Sequence, residues 1–268
     1  MGRVTAHMFH VTVLGSGSTG NSALVETAGT RLLLDAGLSA RQLKKRLAEC
    51  GVEPDRLDAI VLTHEHGDHS GGVQVWCKQY GTPVYCSRLT AQILQKEGCD
   101  AVRNWRLFQT GADFEIQDVR IRSFPVPHDA VDPAGFVLEH SGARLGLLTD
   151  LGAATKLVYE RVRGVHTLFV ETNHDERLLQ EDTRRPWSVK QRIMSRHGHL
   201  SNAAAAAVIG EVLADGLQRA VLGHLSRDCN TPELAVGAVR QVLEQNGRES
   251  VEVFCAGPSE ISPRMLVG

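Results

Sequence analysis

A ten-residue stretch decides the fold: Thr63-His64-Glu65-His66-Gly67-Asp68-His69-Ser70-Gly71-Gly72. An apolar run at residues 58–62 leads straight into it and is predicted to be a buried strand. Two imidazoles two positions apart in a turning loop can point to one ion, and the carboxylate and imidazole that follow can point to a neighbouring ion. Such ligands suit zinc, manganese or iron. A solvated polar loop is the alternative, but the density of ligand-type residues after a buried strand favours a metal site.

This stretch resembles the H-x-H-x-D-H signature of the metallo-β-lactamase superfamily, whose further metal ligands each follow a strand. Three later residues match in order, namely His128, Asp150 and His224, each after an apolar run. One of them alone would be weak support, because a single His after a strand is more often an ordinary polar residue. The resemblance implies two divalent metal ions, Zn2+ or Mn2+, with Fe as a further candidate. The implied ligands are His64, His66 and His128 for one ion, Asp68, His69 and His224 for the other, and Asp150 as the bridge.

Two adjacent ions would make a hydrolytic centre. Ions about 4 Å apart can share a water molecule and lower its pKa toward neutrality, which makes hydroxide available as a nucleophile. The implied ligands leave coordination positions open for that hydroxide and for a substrate oxygen. Asp68 is therefore a candidate catalytic residue that both binds metal and orients the nucleophile.

Strand patterns occur in both halves of the chain, with helix patterns between and outside them. This order favours an α/β fold, the αββα sandwich of the metallo-β-lactamase fold, with two mixed sheets face to face and helices on the outer faces. The predicted strands span residues 10–14, 22–26, 31–35, 58–62, 82–86, 114–117, 119–124, 134–139, 143–148, 167–170, 219–222 and 251–254. The predicted helices span residues 40–50, from the metal loop to 80, 90–97, 189–195, 202–214 and 232–245. Ser39 and Ser201 are predicted N-caps.

The domain organisation predicted from the sequence is simple. No linker rich in Pro, Gly or Ser, short repeat or low-complexity tract divides the chain. We therefore expect a single metallo-β-lactamase domain over residues 1–268, a length compatible with one domain. The strand spacing leaves no room for the inserted β-CASP domain of RNase J-type enzymes.

Composition excludes a strong global attraction to nucleic acid. Lys and Arg number 29 against 31 Asp and Glu, so the formal charge is -2, and an anionic substrate must be attracted locally. The 6 cysteines form no C-x-x-C pair, which indicates free thiols in a reducing compartment. Residues 1–9 do not read as a signal peptide, and no apolar run reaches the roughly 20 residues of a membrane span. We therefore expect a cytoplasmic protein without a membrane partner, and the sequence leaves its oligomeric state open.

A loop of small residues follows the first strand and reads Gly15-Ser16-Gly17-Ser18-Thr19-Gly20-Asn21. Small residues let backbone N–H groups and hydroxyls approach an anion, as in a phosphate nest. Ser16, Ser18 and Asn21 are therefore candidate substrate-binding residues. An ordinary Gly-rich hairpin loop is an equally good interpretation.

The segment Gly198-His199-Leu200-Ser201 precedes an Ala-rich helix, whose N-terminus would favour a phosphate. This G-H-x-[ST] element resembles tRNase Z-type nucleases, which implies a catalytic role for His199 at the scissile phosphate. An ordinary loop residue is the alternative. The segment from His224 resembles the H-x-S-x-R element of the same nucleases, with a different spacing after Ser226. Ser226 and Asn230 are therefore candidates to contact phosphate, unless Asn230 or Thr231 only caps the next helix.

A strip of basic residues leads into His199, opposed between residues 177 and 196 only by Glu181 and Asp182. A charge run usually marks a solvated face, but this one could guide a phosphate backbone. Trp187 within it could stack on a base, although packing is the commoner role of a single Trp. The strip consists of Arg177, Arg184, Arg185, Lys190, Arg192 and Arg196.

Taken together, these elements resemble the YycJ/WalJ-like metallo-β-lactamase proteins over nearly the whole chain. The matching segments are residues 15–21, 35–39, 63–72, 171–175, 198–202 and 224–230. The resemblance implies a nucleic acid substrate, DNA, and a 5′-to-3′ exonuclease activity, although the residues themselves do not separate DNA from RNA or zinc from manganese. A glyoxalase II-type thioesterase or lactonase is one alternative, which the basic strip disfavours. A non-catalytic, metal-stabilised regulator is the other, which the full ligand set disfavours.

Overall fold

The computed structural model describes residues 8–213 and 216–268. Two seven-stranded mixed sheets face each other. The first contains β1 (His10–Gly15), β2 (Ser22–Glu26), β3 (Arg31–Leu34), β4 (Ala59–Val61), β5 (Val84–Ser87), β6 (Trp105–Phe108) and β14 (Met265–Leu266), in the order β14-β1-β2-β3-β4-β5-β6. Strands β3 to β6 run parallel, and the remaining neighbours are antiparallel.

The second sheet mirrors this arrangement. It contains β7 (Asp113–Ile116), β8 (Val119–Pro125), β9 (Ala134–His140), β10 (Ala143–Leu148), β11 (Thr167–Glu171), β12 (Arg219–Gly223) and β13 (Glu252–Cys255), in the order β13-β12-β11-β10-β9-β8-β7. Strands β10 to β13 run parallel, and β7 to β10 form an antiparallel meander.

Helices cover both outer faces of the sandwich. On the first sheet lie α1 (Ala40–Glu49), α3 (Val73–Tyr80) and α4 (Arg88–Lys96), and on the second lie α5 (Lys156–Val162), α8 (Asn202–Val212) and α9 (Pro232–Gln245). The shorter α2 (Gly67–Ser70), α6 (Glu176–Glu181), α7 (Trp187–Ile193) and a 3-10 turn (Pro54–Arg56) belong to the connections. Within the described ranges, no helix has both the length and the apolar character of a membrane span.

Alternating side chains explain why both faces of each sheet are covered. Side chains alternate along a strand, so an uninterrupted apolar run buries both of its faces. In β3, Leu32 and Leu34 join the core between the sheets, whereas Leu33 packs under the outer helices. In β11, Phe169 faces the other sheet and Leu168 packs under helices. The three apolar layers that result confirm the predicted αββα sandwich.

Five strands end at one edge of the sandwich, beneath the predicted site. These strands are β4, β8, β10, β11 and β12, which end at Val61, Pro125, Leu148, Glu171 and Gly223. The carboxyl edge of parallel strands is where open α/β sheets usually carry their ligands. The sheet order therefore brings together residues that are more than 150 positions apart in the sequence, such as His64 and His224.

At the opposite edge a carboxylate joins the two sheets. Asp118, in the turn between β7 and β8, accepts a hydrogen bond from Thr27 Oγ1 at 2.7 Å. It also accepts one from Thr30 Oγ1. Both threonines belong to the β2–β3 turn of the first sheet. We call this group the Asp118 clasp.

Most predicted elements are confirmed, with shifted ends. The last long helix has its predicted bounds, Pro232–Gln245, and the N-caps are confirmed because Ser39 accepts from Gln42 N at 3.3 Å and Ser201 from Ala204 N at 3.2 Å. The helix predicted to follow the metal loop as far as residue 80 is confirmed as α3, whereas the short α2 lies within the loop itself. A Cβ at Gly72 would lie 2.1 Å from the backbone oxygen of Leu38, so the chain turns there against a neighbouring loop.

Six of the described elements were not predicted, and each is short. Strand β6 has four residues, two of them exposed, and β14 has two residues. The helices α2, α5 and α6 have four, seven and six residues, and the 3-10 turn has three. Elements this short gain their stability from packing rather than from intrinsic propensity. Residue Ala214, the predicted end of the helix α8, lies outside the described residues.

Candidate metal centre and active-site pocket

The seven predicted metal ligands converge at the carboxyl edge of the sheets. They form two groups whose ligand atoms lie within 4.8 Å of one another. The first group is His64, His66 and His128, and the second is Asp68, His69, Asp150 and His224. A third group, in which His199 and Glu171 join Asp150 and His224, adjoins the second.

Asp150 lies at the centre of these groups. Its Oδ2 is 2.5 Å from His69 Nε2 and 3.7 Å from His64 Nε2. Its Oδ1 is 2.5 Å from His224 Nδ1 and 3.2 Å from His199 Nδ1. One carboxylate therefore contacts side chains from every group, which is the position that a bridging ligand requires.

The side chains present fit divalent cations. Asp150 is 2% exposed, yet neither of its oxygens has a hydrogen bond of suitable geometry, and His64 Nε2 and His224 Nδ1 are likewise without one. Buried polar atoms in proteins are normally hydrogen-bonded, because an unsatisfied one costs about 1–3 kcal/mol. A cation would satisfy these converging lone pairs together, and imidazoles with carboxylates are donors that zinc and manganese accept.

The protonation states also favour cations. Burial alone would raise the pKa of Asp68, but hydrogen bonds from His224 and His69 outweigh burial and hold that pKa well below its ordinary value. Burial would likewise raise the pKa of Asp150, and the imidazoles of His224 and His69 keep it well below. Burial lowers the pKa of His64, and His69 lowers it further. Burial would lower the pKa of His69 and His224, but neighbouring carboxylates, Asp150 first, raise it well above its ordinary value. A cation at the centre would take the place of the protons on these two rings, since imidazole ligates metal in its neutral form.

The backbone is strained at three residues of this edge. Asp35, Asp150 and His224 have φ of 60°, 50° and 54°, in the left-handed region that non-glycine residues rarely adopt. Such conformations cost about 1–3 kcal/mol each and concentrate at functional sites. All three follow the carboxyl end of a strand, where the chain must turn sharply to aim a side chain between the sheets.

Comparisons with known proteins agree with this geometry. A family model described as "Beta-lactamase superfamily domain" matches residues 30–225. The exodeoxyribonuclease YycJ of Bacillus anthracis is 35% identical over 246 residues, which cover 91% of this chain and 93% of that protein. The chain belongs to the YycJ/WalJ group of the metallo-β-lactamase superfamily.

Two further comparisons support this membership. The exodeoxyribonuclease WalJ of Streptococcus pneumoniae (strain D39) is 37% identical over 261 residues, 95% of this chain and 97% of that protein. The crystal structure of the metallo-beta-lactamase fold protein YhfI from Bacillus subtilis matches with a TM-score of 0.73 at 19% identity, covering 95% of this chain and 98% of that one. At that identity the likeness concerns the fold alone, and it confirms the predicted fold class.

In this metallo-β-lactamase chain, the imidazoles of the predicted metal ligands are held by hydrogen-bonding partners on the side away from the cavity. His69 Nδ1 contacts Asp35 Oδ2 at 2.7 Å, and Asp35 also accepts from Thr63 N at 2.8 Å. His128 Nδ1 lies 3.1 Å from the carbonyl oxygen of Gly198. Such partners fix the tautomer and orientation of a metal-binding imidazole. The prediction did not include Asp35 as a site residue, although it stands at the carboxyl end of a buried strand.

A second unpredicted residue, Glu171, orients His199. Glu171 is fully buried, and its Oε1 is 2.6 Å from His199 Nδ1. Its Oε2 accepts from the backbone N–H groups of Leu151 and Leu200 at 3.1 and 3.3 Å. Burial would raise the pKa of Glu171, but His199 lowers it to about 2. Burial would lower the pKa of His199, whereas Glu171 and Asp150 raise it to about 10.

This arrangement leaves one ring nitrogen of His199 for a substrate. Nδ1 is occupied by Glu171, so Nε2 is the atom available to a group in the pocket. The predicted strand ended at Val170, one residue before Glu171. The signal in the sequence was an acid directly after an apolar run, which strand-terminal acids in general share.

A cavity of about 320 Å³ opens over the centre. Ligand pockets for small molecules span roughly 300–1,000 Å³, so this cavity lies at the lower end of that range. Beside metal-type ligands, its lining includes Ser18, Asn173, Arg185, Arg192, His199 and Ser226. Predicted substrate residues Ser18 and Ser226 are therefore placed where a substrate could reach them.

The other three predicted substrate residues do not line this cavity. Ser16 Oγ donates to Asn21 Oδ1 at 3.1 Å and accepts from His224 N at 2.7 Å. Asn21 Nδ2 lies 3.2 Å from His69 Nε2. Asn230 donates to Thr172 O at 2.7 Å. All three are buried, so the structure gives them a supporting role, and their contact with substrate stays a prediction.

Trp187 stands on α7 with 61% of its surface exposed, so it is not a core residue. It is not among the residues that line the cavity, and base stacking by Trp187 stays a prediction. Thr231 caps α9 by accepting from Leu234 N at 3.3 Å, which is one of the two capping alternatives for that segment.

If cavity volume alone were the criterion, a different cavity would be taken as the active site. A cavity of about 630 Å³ lies near Arg219, at the amino end of β12 and therefore at the opposite edge. Among the described residues, the groups that could hold a metal are those around Asp150. Convergent ligands and unsatisfied buried atoms, rather than volume, therefore locate the candidate active site.

Proposed function

We propose that this protein is a dinuclear metal-dependent phosphodiesterase that removes nucleotides from DNA in the 5′-to-3′ direction. The observation that carries the proposal is the position of His199, which Glu171 holds against the central Asp150 at the wall of the cavity. Full-length relatives named exodeoxyribonucleases support DNA as the substrate. Arg192 in the lining would attract a substrate phosphate, which the carboxylates of the centre would repel in the absence of cations.

The proposed ligands are those of the two groups, with Asp150 between them. When bound, two divalent ions, Zn2+ or Mn2+, supply an activated water as nucleophile and neutralise the charge that develops on the phosphate. Asp68, whose side chain is 25% exposed, lines the cavity and orients the nucleophile.

The remaining steps belong to side chains of the chain itself. His199 steadies the phosphate or donates a proton to the leaving oxygen through Nε2. Glu171 acts through His199 by fixing its ring, so it is a positioning residue. Ser18 and Ser226 donate hydrogen bonds to phosphate oxygens from opposite loops. We also propose that residues 1–268 act as one domain without a β-CASP insertion, and that the protein is cytoplasmic.

The test is cleavage of labelled single- and double-stranded DNA and RNA with 5′-phosphate or 5′-hydroxyl ends, with Mn2+ or Zn2+ added. We expect progressive loss of nucleotides from the 5′ end of DNA by the wild type, and none by Asp68→Ala. Asp55→Ala changes an exposed carboxylate on the 3-10 turn and should behave as the wild type. Equal loss from the 3′ end, or preference for RNA, would contradict the polarity or the substrate.

A glyoxalase II-type thioesterase or lactonase is less well supported. The same ions could polarise a carbonyl, but the relatives that match over nearly the whole chain are named exodeoxyribonucleases. Hydrolysis of a glutathione thioester with no nuclease activity under either metal would replace our proposal by this alternative.

A further inference from the structure

A basic segment, residues 183–198, forms one side of the approach to the centre. It contains five Lys or Arg residues and no Asp or Glu, in a chain whose formal charge is -2. The five are Arg184, Arg185, Lys190, Arg192 and Arg196. The segment includes α7, from which Val189 and Ile193 line the cavity. It is therefore a local source of attraction for a phosphate backbone.

Three of these cations are engaged in holding the segment together. Lys190 is buried, and its Nζ donates to a backbone carbonyl at 2.7 Å. Arg184 and Arg185 both pair with Asp228 at 3.0 Å, and both also contact Asp182. Two carboxylates thus offset the charge of two arginines, so these pairs anchor the segment rather than attract a strand.

Arg192 has a different environment. It lines the cavity and its side chain is 72% exposed. Its Nε lies 3.1 Å from Asp129 Oδ2, and the other oxygen of Asp129 lies 3.4 Å from His128 Nε2. Only the side chain of Asp129 therefore lies between Arg192 and the predicted metal ligand His128. Within the described residues, the edge formed by its two Nη atoms has no hydrogen-bonding partner.

We propose that Arg192 binds the backbone phosphate adjacent to the scissile one, and that Asp129 holds it in place until the strand arrives. This inference rests on the proposed function, and it assigns to Arg192 the recognition of a polymeric substrate. A guanidinium donates two parallel hydrogen bonds to a phosphate. The exposed pair with Asp129 is worth only about 0–1 kcal/mol, so exchanging Asp129 for phosphate meets little resistance.

The inference separates polymeric substrates from small ones. A phosphodiester with one phosphate, such as bis(p-nitrophenyl) phosphate, has no adjacent backbone phosphate to offer to Arg192. A DNA strand presents a second phosphate to it. Arg192→Ala should therefore weaken the binding of oligonucleotides by a larger factor than it slows hydrolysis of the small diester.

The experiment compares the wild type, Arg192→Ala and Arg192→Lys, with Arg240→Ala as the matched control. Arg240 is an exposed arginine of the larger cavity at the opposite edge. The Kd of a fluorescein-labelled, phosphorothioate-linked single-stranded DNA is measured by anisotropy at several salt concentrations. Hydrolysis of bis(p-nitrophenyl) phosphate and metal content are measured on the same proteins.

We expect Arg192→Ala to raise the Kd about tenfold or more, as for a lost hydrogen bond to a charged group. The slope of log K against log salt should fall by about 0.7, the value for one phosphate contact on a single strand. Arg192→Lys should restore the slope because it keeps the charge, but only part of the affinity. The control should match the wild type.

Equal Kd values and salt slopes for Arg192→Ala and Arg240→Ala would overturn the inference. So would a loss of bound metal in Arg192→Ala that explains its weaker binding. If oligonucleotide binding depends on Arg192 but no nucleic acid is ever cleaved, the inference survives and the proposed nuclease function fails. The two failures are therefore distinguishable.

Discussion

The two sheets contribute to the metal centre in different ways. The first supplies four of the proposed ligands from one continuous loop after β4, residues 64–69. The second supplies His128, Asp150 and His224, together with Glu171, each from the end of a different strand. Local backbone geometry sets the first half of the centre, whereas sheet order and register set the second. The first half of the centre therefore tolerates little local change, whereas the second half depends on the whole fold.

The largest loss of metal and activity is expected at Asp150, where the two halves of the metal centre meet. Asp150→Ala removes the carboxylate that contacts His69, His224 and His199, so bound metal should fall below two ions per chain and activity below detection. Metal analysis after gel filtration and the oligonucleotide assay measure both. Asp55→Ala is again the control. Full metal content with full activity would show that the two halves act independently of Asp150.

A smaller loss is expected from His199, which belongs to the second half but not to the proposed ligand set. His199→Ala should lower kcat about 10²–10⁴-fold, the usual contribution of an acid–base group, while metal content is kept. Glu171→Gln keeps the shape of the side chain at this position but weakens its hydrogen bond to the imidazole of His199. The double variant should be no slower than His199→Ala, because Glu171 acts through His199. Additive losses would give Glu171 a separate role.

The first half has its own support in Asp35, which contacts His69 Nδ1. Asp35→Asn should weaken metal binding about 10–100-fold, the usual cost of losing the partner of a ligand imidazole. Competition with a coloured chelator measures the affinity. In the second half, His128 is held by a backbone oxygen, which no substitution removes. An unchanged affinity would mean that the loop alone orients His69.

The smallest effect is expected at Ser16, which connects the halves without facing the cavity. Ser16→Ala leaves His224 N without its acceptor, whereas Asn21 Oδ1 keeps the hydrogen bond from Gly17 N. We expect a loss of about 1–3 kcal/mol in the free energy of unfolding from the unsatisfied N–H group. Urea denaturation measures it, with Ser18→Ala, an exposed change in the same loop, as the control for stability. A wild-type stability with a raised KM would restore Ser16 as a substrate contact.

What the sequence could predict follows the same division. Spacing within one loop was enough to predict four of the metal ligands, namely His64, His66, Asp68 and His69. The other three, His128, Asp150 and His224, were predicted by resemblance and order, because no local pattern distinguishes a ligand from an ordinary polar residue after a strand. The structure brings them together through pairings such as β10 with β11 and β11 with β12.

The remaining residues could not be predicted because their roles depend on three-dimensional contacts. Glu171 follows an apolar run like any strand-terminal acid, and only the neighbouring His199 reveals its role. Ser16 and Ser18 stand two positions apart in one loop, yet one is buried and the other exposed. Arg185 and Arg192 likewise differ in the carboxylates that surround them and in the exposure of their side chains, which is 25% and 72%.

The Asp118 clasp has a consequence for how the protein responds to a chelator. Metal ions would cross-link the sheets at one edge, since the first ligand group includes His64 from one sheet and His128 from the other. The clasp joins them at the other edge through hydrogen bonds that need no metal. Chelation should therefore let the two sheets separate at the metal edge while the Asp118 clasp keeps them together at the opposite edge. Amide hydrogen exchange would then accelerate near β4 and β12 carboxyl ends and stay slow near Thr27 and Thr30.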